Sequence, residues 1–257
     1  MTRRRWIADA WTQDTATLHG DQARHLGRVL RAQPGMEFDV IAGGHAWRAQ
    51  VHTVEPDRVS FSLLEELTAD VALPVTLLLS VFKFDRMEWA IEKAVELGVA
   101  RIVPMLAERT EKHLAQAAVK RADRWRRIAL EAAKQSRRSD LPEIAAPARI
   151  AALLPAPSQN QEASGGALRI LLSEIEEDQP LLRILQARAA AQNPPPAQAA
   201  AAPPGILLAI GPEGGWTAGE IQQFTQAGWL SASLGPRILR VETAALAALA
   251  VINAVTA

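Results

Sequence analysis

The chain has no cysteine among its 257 residues. Disulfides and any zinc or iron–sulfur site built on thiolates are thereby excluded. Histidine is scarce as well. The five present, His19, His25, His45, His52 and His113, show no HExxH-type spacing, so no metal site is expected. Long hydrophobic runs are also missing. The opening residues Met1-Thr2-Arg3-Arg4-Arg5-Trp6 lack the apolar core of a secretory signal, and no apolar stretch is long enough to span a bilayer. A cytoplasmic protein is the expectation. Neither sign of charge is in excess, with 28 Lys and Arg against 28 Asp and Glu. That argues against a basic coat protein for nucleic acid. At 49% hydrophobic and 22% charged, the chain has the composition of a soluble globular protein of one large or two ordinary domains.

Charge is uneven locally. Residues 101–140 hold 11 Lys and Arg against 5 Asp and Glu, whereas residues 205–257 hold only Arg237 and Arg240. A basic patch beside a near-neutral core suits an enzyme acting on a polyanion. A solvated helix face would give the same count.

Residues 1–71 read as a small β-barrel. Short alternating runs (Phe38–Ile41, Ala46–Val54, Val59–Leu64) are separated by turn signals at Gly35, Gly43-Gly44 and Pro56-Asp57. One helical piece, residues 21–31, interrupts them. From residue 72 to 257 the texture changes to α/β. Val75–Phe82 is an apolar run broken only by Thr76 and Ser80, as in a strand buried on both faces. Helical spacing over Arg86–Leu97 ends at Gly98, and Val99–Leu106 is the next strand. A basic helix is predicted over Ala117–Gln135, strands over Leu168–Ser173, Ile206–Ile210 and Leu230–Leu234, and helices over Glu220–Ala227 and Val241–Val255. Strands alternating with helices predict a mostly parallel sheet covered on both sides. Residues 155–167 read as a loop and residues 189–204 (AAAQNPPPAQAAAAPP) as a Pro/Ala-rich insertion.

Three segments can carry chemistry. The first is Ile210-Gly211-Pro212-Glu213-Gly214-Gly215, where a strand stops at a glycine turn and Thr217 and Glu220 stand at capping-box spacing before a helix. It lacks the lysine of a phosphate loop and the GxGxxG of a dinucleotide site. Glu213 would repel a pyrophosphate. A neutral or cationic, flat ligand fits such a turn, as does a tight connection holding nothing. The second is Leu234-Gly235-Pro236-Arg237-Ile238-Leu239-Arg240-Val241-Glu242-Thr243-Ala244, again a strand end, a Gly-Pro turn and a helix start. The helix after it is apolar all round and must be covered on both sides, in a core or a subunit interface. The third, Glu131–Pro142, crowds polar and basic residues at a helix end, where a solvated C-terminus is the simpler reading.

Together with His25-Leu26-Gly27-Arg28-Val29-Leu30-Arg31 and Lys93-Ala94-Val95-Glu96-Leu97-Gly98-Val99, these segments make the chain resemble the ribosomal RNA small subunit methyltransferase E family, of the SPOUT class. GPEGG followed by LGxRILRxETA is the most specific pair. The Pro/Ala-rich insertion departs from the pattern but lies in a connection. The resemblance implies a PUA-like RNA-binding barrel (1–71), a SPOUT domain with a trefoil knot (72–257), and a homodimer. It also implies S-adenosylmethionine (SAM) as methyl donor and N3 of uridine 1498 in 16S rRNA of the 30S subunit as acceptor. It places SAM against Leu172, Ser173 and Glu174, against Ile210, Gly211, Gly214 and Gly215, and against Leu234, Gly235, Ile238 and Leu239. N3 lies on the Watson–Crick edge and carries a proton, so the base must be extruded and deprotonated. Glu242 is the expected base, or else a cap of the last helix. Arg240 is the expected stabiliser of charge on the uracil oxygens, or else the partner of Glu242. RNA contacts are expected from Arg3, Arg4, Arg5, Arg24, Arg28 and Arg31, and from Gln135, Arg137 and Arg138. Two rivals remain, an RNA-binding protein that kept the fold without catalysis and a related enzyme acting on another RNA.

Overall fold

The computed structural model describes residues 5–67, 73–136, 138, 140–154, 166–191 and 205–256. They form two compact units, Met1–Val71 with Ala133–Leu141, and Ala72–Ala132 with Pro142–Ala257.

The first unit contains β1 (Arg5–Ile7), β2 (Ala10–Trp11), β3 (Thr15–His19), α1 (Gly20–Arg24), β4 (Glu37–Ala42), β5 (His45–Glu55) and β6 (Arg58–Leu67). The expected strands are all present, each slightly longer than its apolar run. Gly43 and Gly44 both have positive φ (62° and 84°) between the paired residues Ala42 and His45. That is the conformation a two-residue hairpin demands. The strand order is β1-β4-β5-β6-β3-β2. Its two edges are pieces of one segment: Ala8 N donates to Ile41 O at 2.8 Å and Asp9 N to Thr17 O at 2.9 Å. One stretch thus pairs with both ends of the sheet and closes it into a barrel, removing its free edges. Trp6, Leu18, Leu26, Val40 and Phe61 fill the interior. The single helix expected over 21–31 is instead α1 followed by a π-helical turn, His25–Val29, which ends at Arg31 in the left-handed region (φ 51°). This turn buries Leu26 and leaves Arg28 and Arg31 exposed.

The second unit runs β7 (Leu73–Ser80), α2 (Phe84–Glu96), β8 (Val99–Leu106), α3 (Lys112–Gln135), β9 (Glu143–Ile144), β10 (Ala148–Arg149), α4 (Ile150–Leu153), β11 (Leu168–Leu172), α5 (Leu181–Ala191), β12 (Ile206–Ile210), α6 (Ala218–Gln226), β13 (Leu230–Ala232) and α7 (Val241–Thr256). Its sheet is parallel throughout, in the order β10-β8-β7-β12-β11-β13, with β9 also on β8. Leu78, Val103, Leu171 and Ala209 join Trp216, Phe224 and Trp229 in one apolar cluster. The alternate residues Leu77, Leu79, Ile170 and Leu208 are buried too, which is why these strands read as largely apolar runs and not as alternating ones. α7 packs against α2, α5, β7 and β12. Helix α2 stops at Gly98, whose φ of 90° and N–H bond to Val95 O (2.9 Å) close the last turn.

Several expectations shift. β7 ends at Ser80, β11 at Leu172 and β13 at Ala232, because the residues after the last two turn into the site described below. The insertion expected from residue 189 begins inside α5, whose Leu181 and Leu185 are buried. Residues 192–204, 155–165, Arg3, Arg4 and Arg137 lie outside the described residues. The short elements β9, β10 and α4 show no period in so few residues. On α7, Ala245, Ala248, Leu249 and Ile252 are buried, while Leu246, Ala247 and Val251 are only partly covered. No helix among the described residues is long and apolar enough to cross a membrane.

Candidate functional site

Three distant segments converge because of strand register. Leu172 pairs with Ile210 on one side and with Ala232 on the other. All three strands are parallel, so the turns after them leave the sheet at the same end, where open α/β sheets bind ligands. They line an open-mouthed cavity. Eight of the eleven expected cofactor residues line it: Leu172, Ser173 and Glu174, Ile210 and Gly211, and Leu234, Gly235 and Leu239. The other three, Gly214, Gly215 and Ile238, line an adjoining pocket with Glu174, Leu239 and Arg240. Pro212 and Arg237, within the expected turn segments, line the main cavity too, and sequence reasoning missed Ala232, Val241 and Ala244 there. All but Ala232 stand within the recognised segments, so their spacing was the available signal.

The glycine turn is shaped by what surrounds it. Gly215 has φ 71°, and the Glu174 carboxylate occupies the place a side chain would take. Gly211 lies against the Trp216 indole, where an added Cβ would come within 3.0 Å of Cε2. Trp216 Nε1 donates to Leu172 O at 2.7 Å, tying the turn to β11. Gly215 N donates to Pro212 O at 2.9 Å. The β8–α3 connection holds the turn from outside: Arg109 Nη1 donates to Gly214 O at 2.6 Å and to Trp216 O at 3.3 Å.

Helix α6 starts with the expected capping box. Thr217 Oγ1 accepts from Glu220 N (3.2 Å), and Glu220 Oε2 accepts from Thr217 N (2.8 Å). Glu220 is buried, and its other oxygen accepts from Glu108 N at 2.7 Å. Thr217 Oγ1 donates to Glu108 Oε2 at 2.8 Å. Neither Glu108 nor Arg109 carries a local sequence signal, since both act on residues more than a hundred positions away.

Glu213 forms an ion pair with Arg86 of α2 at 3.2 Å and lines the adjoining pocket, not the main cavity. The acid that does line the main cavity is Glu174. Arg240 and Glu242 stand at the start of α7 and line a groove with Asp85, Arg86, Trp89 and Thr243. Glu242 is buried, and its Oε2 has no hydrogen-bond partner. It lies in the first turn of α7, where a negative charge meets the positive helix end. Among the described residues no ion pair joins it to Arg240.

The expected RNA contacts fall into separate classes. Arg28, Arg31 and Gln135 are exposed. Arg24 is ion-paired with Asp21 and with Asp57 (2.5 Å), and these two carboxylates hold its guanidinium above its ordinary pKa. Arg138 is buried and paired with Asp140, its Nε donating at 3.2 Å. It is withdrawn from solvent, which corrects its expected place among the exposed RNA contacts. No cluster of metal-ligating side chains occurs among the described residues.

Known proteins match most of the chain. A family described as RNA methyltransferase domain covers residues 69–253, and one described as RNA methyltransferase PUA domain covers residues 18–64. A "Ribosomal RNA small subunit methyltransferase E" from Synechocystis is 37% identical over 93% of this chain and 73% of its own. The protein of that name from Bacillus subtilis is 29% identical over 93% and 90%. Among solved structures, a ribosomal RNA small subunit methyltransferase E from Neisseria gonorrhoeae bound to S-adenosyl methionine superposes with a TM-score of 0.70 at 31% identity, covering 97% of this chain and 96% of the other.

Proposed function

Because the chain belongs to the ribosomal RNA small subunit methyltransferase E family, we propose that it methylates N3 of uridine 1498 in 16S rRNA of the small ribosomal subunit, using SAM. The enzyme class and cofactor come with the family. The acceptor atom and the roles of individual residues are our reading. One observation carries that reading. The cavity built from three recognised segments shares Leu239 with an adjoining pocket, which shares Arg240 with the groove lined by Glu242, one of whose carboxylate oxygens is buried with no partner.

The residues present fit SAM. Ile210, Leu234 and Leu239 offer apolar walls for an adenine ring, and bare backbone at Gly211 and Gly235 allows close approach. A cationic ligand suits the Glu174 carboxylate in the same wall. When bound, SAM supplies an electrophilic methyl group. What the chain must do is prepare the nucleophile. Uridine N3 is a poor nucleophile until it loses its proton. Glu242 Oε2 has no competing donor, so its lone pair is free to take that proton. Arg240, beside it at the helix start, is placed to offset charge that develops on the uracil oxygens. Glu242→Gln removes the base while keeping the shape. Turnover at saturating SAM and RNA should fall by about a hundredfold or more, with SAM affinity unchanged. Full turnover in that variant would rule Glu242 out.

The finer features of the family follow as parts of the same proposal. The PUA-like barrel binds RNA, through Arg28 and Arg31 among others, and phosphate contacts there position the substrate while the pocket reads the base. The C-terminal segment threads a trefoil knot. In support, Ser233 N donates to Gln179 O and Leu181 N to Ser233 O, both at 2.9 Å, stitching the chain after β13 to the chain after β11. A homodimer covers the partly exposed apolar residues of α7. A protein that acts on the small ribosomal subunit belongs in the cytoplasm, and that is the location proposed.

A further inference from the structure

The groove at the start of α7 holds a feature that neither helix packing nor cofactor binding uses. Trp89 is 47% exposed on α2, whose buried face is Met87, Ala90, Ile91, Ala94 and Val95. Its ring lines the same groove as Arg86, Arg240 and Glu242. Glu242 is more than nine-tenths buried, yet one of its oxygens lacks a donor. A buried acceptor left open in the free protein calls for a donor that arrives with a ligand. The groove is also tied to the cofactor turn, because Arg86 pairs with Glu213 of that turn. An aromatic face, a carboxylate and two guanidiniums are complementary to a flat ring that carries an N–H flanked by two carbonyls.

We propose that Trp89 determines substrate recognition by stacking on the extruded uracil of the RNA, so that N3–H faces Glu242. This rests on the methyltransferase reading above and adds to it the surface that holds the base. A base drawn out of its stack loses its aromatic neighbours, and a tryptophan face replaces them.

The test compares the full chain with its Trp89→Leu and Trp89→Phe variants. The probe is a 16S rRNA fragment carrying the target uridine, beside the same fragment made abasic at that nucleotide. Binding is followed by fluorescence anisotropy with S-adenosylhomocysteine present, and methyl transfer to small-subunit particles is measured in parallel. The wild type should bind the intact fragment about tenfold or more tightly than the abasic one. W89L should lose that discrimination and W89F should recover most of it, with SAM affinity equal in all three. The proposal is overturned if W89L discriminates as well as the wild type, or matches W89F. It is equally overturned if W89L changes the oligomeric state by light scattering, because Trp89 is then a subunit contact. Failure of the methyltransferase reading looks different: the wild type transfers no methyl group, while the abasic comparison still reports on stacking.

Discussion

At the scale of single residues, the site is organised around positions that tolerate one side chain only. Gly215 is the clearest. Its φ of 71° penalises any L side chain by about 1 kcal/mol, and the Glu174 carboxylate already fills the place where Cβ would go. Gly215→Ala must therefore either move Glu174 or open the turn, and both disturb a cavity wall. We expect SAM affinity to fall by about tenfold or more by calorimetry, with the fold retained. An unchanged affinity would mean that the turn adapts and is not part of the binding surface. Glu242 belongs to the same scale. Its position in the RVET turn was legible in the sequence, but both a base and a helix cap fit that position. The structure adds that one of its oxygens is buried without a partner and that, among the described residues, no ion pair joins it to Arg240.

At the scale of elements, what converges is set by register. The pairing Ile210–Leu172–Ala232 puts three turns side by side, and none of the three segments announces the others. GPEGG and LGPRILRVETA were legible because their chemistry is local: strand end, glycine turn, helix start. The clamp made by Glu108 and Arg109 was not, since it reaches more than a hundred residues along the chain through hydrogen bonds that leave no period. Closure of the barrel by residues 5–11 was hidden for the same reason. Trp89 did leave a trace, as the large aromatic that falls off the buried face of α2. The capping box at Thr217 was legible from spacing alone, and here it also binds α6 to Glu108. Thr217→Ala should cost about 1 kcal/mol, a fall in melting temperature of roughly 2–4 °C for a domain of this size. A melting temperature that does not move would show that solvent replaces the cap.

At the scale of the whole molecule, the sequence divides into a closed, mostly antiparallel barrel and a parallel α/β unit, and the cavity, the adjoining pocket and the groove all belong to the second. On the proposed reading the α/β unit holds cofactor and base, while Arg28 and Arg31, exposed on the barrel, hold RNA. A non-catalytic RNA-binding protein would have no use for the shaped turn at Gly211–Gly215 or for an open carboxylate beside it. The central claim is that these features serve one transfer to one atom. Small-subunit particles from a strain lacking this modification should be incubated with the purified chain and methyl-labelled SAM, and their rRNA mapped by mass spectrometry. The account predicts a single labelled nucleotide, 3-methyluridine at position 1498 of 16S rRNA. Label on any other nucleotide, or none in rRNA at all, would contradict it.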